Sequence, residues 1–274
     1  MVIILGFGDW VLIENIIVIF GVMIIAFIFA PIGLGGGMLF VPLLHYVSGW
    51  PIDGKLLAVS LMLTGVVSWG SGLTHRKENL VDDDIIGISL WGAVPGAMIG
   101  VLIIQLLDTN LDTIFKSLSL ILISMALAKY AFSRKAVKVN DNNIRENIPG
   151  LVLGSGFGGL LSSVLAIGAG AIYVPSLQAF GKLRTRISIG SSLNIMMIVV
   201  PIAVFSHLLI LTEVQKEDLF EQIVFIFSLL IITFLGSKFG AQFGIKNIPE
   251  NRILQIFIGI LIIVWIRYVL DILV

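Results

Sequence analysis

The chain has 274 residues, of which 58% are hydrophobic and only 12% charged, whereas a soluble domain is about 25% charged. With a mean hydropathy of +1.08, a soluble α/β enzyme of this size is excluded, because so few charges could not cover its surface. The lack of cysteine removes disulfide scaffolds and cysteine zinc sites, and 17 basic against 17 acidic residues leave no field for nucleic acid.

Taken from the N-terminus, the charged residues act as fence posts between apolar runs. Residues 15–52 carry no charge, which is too long for one bilayer-spanning helix of roughly 20 residues. The run is read as a helix at about 11–32 followed by a short Gly/Pro-bounded segment at about 33–48. Met1 to Trp10 has no basic residue and includes Asp9, so the first helix is expected to be an uncleaved anchor rather than a signal peptide. Further uncharged runs follow at 56–74 and 85–107, and the stretch 111–133 is apolar between Lys116 and Lys129. Arg134, Lys135, Lys138, Asp141, Arg145 and Glu146 then make the one polar linker.

The second half opens on another overlong run, 147–181, read as a helix plus a short segment at about 168–181. Within it, Gly154-Ser155-Gly156-Phe157-Gly158-Gly159 fits the spelling of a dinucleotide fingerprint. That motif needs a preceding strand and a later acidic residue, and neither is there. Apolar runs at 187–212, 222–237 and 253–266 complete the chain, with acidic residues from Glu213 to Glu221 between the first two. The runs lack the period-2 alternation of barrel strands, so the spans are helices.

The two halves repeat. Gly35-Gly36-Gly37-Met38-Leu39-Phe40-Val41-Pro42 aligns with Gly168-Ala169-Gly170-Ala171-Ile172-Tyr173-Val174-Pro175 at a spacing of 133 residues, and Ser60 and His75 align with Ser192 and His207 at 132. The expected organisation is therefore a first transmembrane repeat at 1–134, a cytoplasmic linker at 135–147 and a second repeat at 148–274. If each short segment returns to the side it came from, every half crosses the bilayer an odd number of times and the second is inverted. Placing the linker in the cytoplasm puts eleven basic residues inside against three outside, as the positive-inside rule asks. Both termini then face out.

Inverted repeats place a carrier's site at broken helices near the midplane. Gly35, Gly36, Gly37 and Pro42 in one half, and Gly168, Gly170 and Pro175 in the other, mark such breaks. Helix N-termini exposed there favour an anion; the alternative is that the glycines only permit close packing. Ser60, Thr64, Ser191, Ser192 and Asn194 are candidate neutral donors at membrane depth, or partners in interhelical hydrogen bonds. His75 and His207 are symmetric candidates for proton coupling, or interfacial side chains. Gly96-xxx-Gly100, Gly154-xxx-Gly158 and Gly236-xxx-Gly240-xxx-Gly244 read as packing seams. Lys116, Lys129, Lys238 and Arg267 read as snorkelling cations. No catalytic pair or metal-ligand cluster appears, and no cofactor is expected.

The paired Gly-x-Gly…Pro-x-Leu elements, the Ser-Leu of the following helix (Ser60-Leu61, Ser192-Leu193) and the later Gly-xxx-Gly resemble the sulfite exporter TauE/SafE family over nearly the whole chain. The resemblance implies an inner-membrane carrier of sulfur-containing anions such as sulfite or sulfonates, with Gly35, Gly36, Gly37 and Pro42 paired to Gly168, Gly170 and Pro175. Ala169 departs from the glycine of its counterpart. The expectation is thus an all-α polytopic membrane protein of two inverted five-segment halves that binds a small anion and the lipid bilayer and exports or exchanges the anion by alternating access. Association into a homo-oligomer stays open. The rivals are a passive anion channel, an intramembrane enzyme and a non-transporting membrane subunit.

Overall fold

The computed structural model describes residues 7–107, 111–132, 147–247 and 250–273, and every regular element among them is helical. The polar linker falls outside the described residues except for Asn147. The first half comprises α1 (Phe7–Phe29), a 3-10 turn (Ala30–Ile32), α2 (Gly37–Ser48), α3 (Gly54–Lys77), α4 (Asp83–Leu107) and α5 (Leu111–Phe132). The second comprises α6 (Ile148–Leu165), α7 (Gly170–Ala179), α8 (Thr185–Ile210), α9 (Glu213–Glu221), α10 (Ile223–Asn247) and α11 (Glu250–Leu273). Six of these, α1, α3, α4, α6, α8 and α10, are long and apolar enough to cross a membrane. The protein is a multi-pass helical membrane protein.

Each half opens on a helical hairpin with one long and one short arm. Leu43 of α2 lies against Gly21 of α1 and Phe40 against the neighbourhood of Ile25, so α2 runs back along α1. In the same way Tyr173 faces Gly158 and Phe180 faces Gly150, so α7 runs back along α6. The breaks have a local cause. Pro31 sits in the 3-10 turn after α1, and left-handed residues follow it, a conformation that L side chains resist.

The equivalent helices α3 and α8 pack side by side and antiparallel. Gly54 lies against Leu211, Gly65 against Val200, and Gly72 against Leu193 and Met197. An inverted duplication requires this arrangement of its mates. The other close pairs join the halves reciprocally. Gly92, Gly96 and Gly100 of α4 lie on backbone of α6 at Val152, Gly156 and Leu160, while Gly236 and Gly240 of α10 lie on Met23 and Phe27 of α1 and Gly244 on Pro31 of the 3-10 turn. A Cβ at Gly96 or Gly240 would overlap the facing backbone, so these stripes are packing seams, where lipid offers no hydrophobic drive and close backbone approach supplies the contact.

Two expectations change at the ends of the helices. The acidic segment from Glu213, read as a loop, forms α9, closed by a capping box between Thr212 and Gln215. It is tied to the start of α3, where Gln215 donates to Asp53 at 3.3 Å and Lys55 reaches Asp218 at 3.5 Å. Lys116 is buried rather than snorkelling to water, because Asp112 and Asp271 lie at 2.9 and 3.2 Å from its ammonium.

Candidate functional site

The breaks of the two hairpins meet near the middle of the α3–α8 pair. Gly33, Gly35 and Gly36 have φ of +71°, +73° and +75°; their repeat mates Ala166, Gly168 and Ala169 have +49°, +70° and +54°. The backbone path is therefore conserved between the halves even where alanine replaces glycine. For Ala166 and Ala169 the left-handed geometry costs roughly 1–2 kcal/mol each.

What lies beside each tip is the opposite tip. A side chain at Gly37 would run into the Ala166 carbonyl, and one at Gly170 into the Gly33 carbonyl. Gly35 and Gly168 both face Thr64 and Met196, which are themselves repeat mates 132 residues apart. The glycines thus let one tip press against the other. A side chain at Gly36 would meet Ile25 and Phe40, not open space.

The polar candidates divide into three groups. Ser60 donates to the Ala166 carbonyl at 3.4 Å, and Ser192 to the Gly33 carbonyl at 3.5 Å. Each serine thereby holds the tip of the opposite hairpin, and Ser192 also donates to Ile189 at 2.9 Å. Ser191 and Asn194 lie elsewhere, at the end of α3. The Ser191 hydroxyl accepts from the Asp82 N–H at 2.9 Å; Asn194 accepts from Arg76 at 3.0 Å and donates to Gly190 at 2.8 Å. Arg76 in turn pairs with Asp83. Thr64 alone is different: it is fully buried among Gly35, Gly37 and Gly168, and its hydroxyl has no hydrogen-bond partner among the described residues.

His75 and His207 are buried, not interfacial. The His207 Nε2 donates to the Ser163 carbonyl at 3.1 Å, while His75 lies against Ser71 and within reach of the Pro31 carbonyl. Ser71 donates to the Ala30 carbonyl at 2.6 Å. The Ser163 carbonyl lies in the last turn of α6, and those of Ala30 and Pro31 in the 3-10 turn that follows α1, where helix ends leave acceptors unpaired. The histidines hold the two hairpin bends.

The α2 and α7 N-termini have no side-chain cap, although α3, α6 and α9 are capped by Asp53, Asn147 and Thr212. The first N–H groups of a helix lack intrahelical acceptors and carry the positive end of its dipole. Their first turns border a cavity of about 440 Å³ whose floor is Met38, Ile167 and Ala171 and whose walls include Leu122, Phe157, Pro175 and Phe180. It follows α7 toward the linker, since Asn147 donates to the Phe180 carbonyl at 3.0 Å. Pro175 lines this cavity. Pro42, its mate, is buried inside α2.

On the α2 side an ionic cluster stands in the corresponding place. Tyr46, the mate of Ala179, donates to Asp271 at 2.8 Å and lies under Arg267 at 4.6 Å; Lys116 and Arg267 also reach Asp271. The cluster ties α2 to α5 and α11. Sequence reasoning missed Tyr46 and Asp271, since an acid near the C-terminus looks interfacial until a partner 225 residues away is known.

Half-helices whose uncapped N-termini converge beside an unpaired hydroxyl, within a duplicated bundle of spanning helices, define a membrane transporter. The comparison with known sequences makes this particular: the model of the family described as Sulfite exporter TauE/SafE matches residues 17–268. The chain belongs to that family. A curated relative, the probable membrane transporter protein YunE of Bacillus subtilis (strain 168), is 24% identical over 198 residues, covering 65% of this chain and 72% of the relative. No solved structure matches the chain.

Proposed function

We propose that the chain is a carrier that moves a small sulfur-bearing anion, sulfite or a sulfonate, out of the cell across the plasma (inner) membrane by alternating access. The observation that carries this reading is the meeting of two uncapped helix N-termini next to the unpaired Thr64 hydroxyl. Such an arrangement favours an anion without a buried cation. Family membership supports the substrate class. The unequal ends of the two hairpins support a carrier over a passive channel: a cavity reaches the tips along α7, while the Tyr46–Asp271 cluster closes the way along α2. With the linker cytoplasmic and both termini outside, as the distribution of basic residues favours, this conformation faces inward.

In this reading the anion approaches the first turns of α2 and α7 through the cavity and takes hydrogen bonds from their free N–H groups and from Thr64. Gly35, Gly36, Gly37, Gly168 and Gly170 let the tips slide past one another, and Ser60 and Ser192 steady them. The repeats 1–134 and 148–274 act as interlocked halves rather than separate domains, and no enzymatic step is required.

Purified protein in sealed liposomes tests the proposal. Sulfite or a sulfonate is expected to accumulate in counterflow against its own gradient, saturably. Flux that never saturates and only follows the gradient would make the protein a channel. A cysteine placed at residue 140 should stay unlabelled by an impermeant reagent in intact cells; labelling there would reverse the orientation.

A further inference from the structure

A separate, polar cleft lies between the parallel ends of α3 and α10. It has a volume of about 430 Å³ and is lined by Gly70, Leu73, Thr74 and Lys77 from α3, with Glu78 beyond, and by Phe234, Lys238, Gln242, Ile245 and Lys246 from α10. Lys77, Lys238 and Lys246 give it three cations against the single carboxylate of Glu78, and none of the three has an ion-pair partner among the described residues. Lys238 lies nine residues before the end of α10, roughly 13 Å along the helix. An ionisable group at that depth in a span calls for a counter-charge.

The lining also has a direction. Along α10 the exposed side chains on this face run Phe234, Lys238, Gln242, Lys246, one turn apart; along α3 they run from Leu73 to Lys77. The cleft is apolar toward the membrane interior and cationic toward the helix ends. Leu73 and Phe234 are open to the surroundings, at 40% and 37% exposure. A free anion has no use for the apolar end, whereas an amphiphile matches both.

We infer that this cleft binds an anionic phospholipid, its phosphate held among Lys77, Lys238 and Lys246 and an acyl chain lying along Leu73 and Phe234. Basic pockets between spanning helices on the cytoplasmic side are recognised by acidic headgroups in this way. The site is separate from the proposed anion site, because none of its lining residues is among those named at the hairpin tips.

Native mass spectrometry of the detergent-purified protein, titrated with phosphatidylglycerol or with phosphatidylcholine of matched chains, tests it. Phosphatidylglycerol is expected to bind at least tenfold more tightly. The preference should fall about fivefold in Lys238→Gln alone, at roughly 1 kcal/mol per lysine. It should vanish in the K77Q/K238Q/K246Q variant and survive in K77R/K238R/K246R. The inference is overturned if Lys238→Gln and the triple glutamine variant keep the full preference, or if inorganic phosphate displaces the lipid at equal concentration, which would make the cleft a solute vestibule. All three lysines are exposed, and the single variant decides the matter should the triple one fold poorly.

Discussion

α2 and α7 begin alike and end differently. Both start from a run of left-handed residues, lack a side-chain cap, and enclose a proline at the same register. Beyond that proline their surroundings diverge. Tyr46 near the end of α2 is drawn into an ionic cluster with Asp271, while Ala179, at the same place in α7, leaves room for the cavity. A duplicated sequence kept the hairpin tips equal, where the two copies touch, and let the outer ends specialise. An alternating-access carrier, as proposed here, would use that division: a symmetric centre and two ends that are never open at once.

The comparison is tested most severely at the tips. Gly37→Val and Gly170→Val should be equally damaging, each forcing a side chain into a carbonyl of the other hairpin, at a cost of about 3 kcal/mol or more for overpacking of this kind. Thermal unfolding of the purified variants measures it. If one is harmless and the other not, the tips are not equivalent. Gly36→Leu should likewise act through the fold, by displacing Ile25 and Phe40.

The outer ends should respond unequally. Tyr46→Phe removes a hydrogen bond to a carboxylate, worth about 1.5–3 kcal/mol, and is expected to make a cysteine at position 38 more reactive from the α2 side. Ala179→Ser, at the equivalent site, should change nothing there. Equal labelling of parental protein and Tyr46→Phe would show that the cluster is not what closes this end.

At the centre, Thr64→Val should weaken anion binding by about 1–3 kcal/mol, the usual loss of a buried hydrogen-bond partner, or roughly 5- to 150-fold. It should hardly alter the melting temperature, since that hydroxyl has no hydrogen-bond partner among the described residues. Replacing its mate, Met196→Leu, should leave calorimetric affinity intact. Parental affinity in Thr64→Val would remove the hydroxyl from the site. The smallest expected effect is at the left-handed alanine: Ala169→Gly should stabilise by about 1 kcal/mol, and Gly36→Ala should cost about as much in the other half.

Much of this was legible in the sequence. Charge spacing marked the spans, and the repeated glycine-proline element marked both hairpins and their equivalence. The glycine stripes at Gly96 and Gly236 were readable because close packing in lipid needs small residues at that interval. What the sequence hid was the partner of each polar group. Thr64, Ser192 and Asn194 look alike as polar residues in apolar helices. Only the fold shows that Ser192 meets a carbonyl, that Asn194 meets Arg76, and that Thr64 meets neither. The helix α9 was missed because its apolar face is too small to outweigh the acidic composition.

The stripe of Gly236, Gly240 and Gly244 has a consequence for how the protein is made. These glycines seat α10 against α1, so α1 meets this partner only after the spanning helices α3, α4, α6 and α8 have been made. Until then α1 waits in the lipid, and its sparsely charged sequence lets it do so. The order of synthesis thereby delays closure of the bundle: the first repeat stays unlocked until the second is nearly complete, and a chain truncated before α10 would leave α1 without its seat.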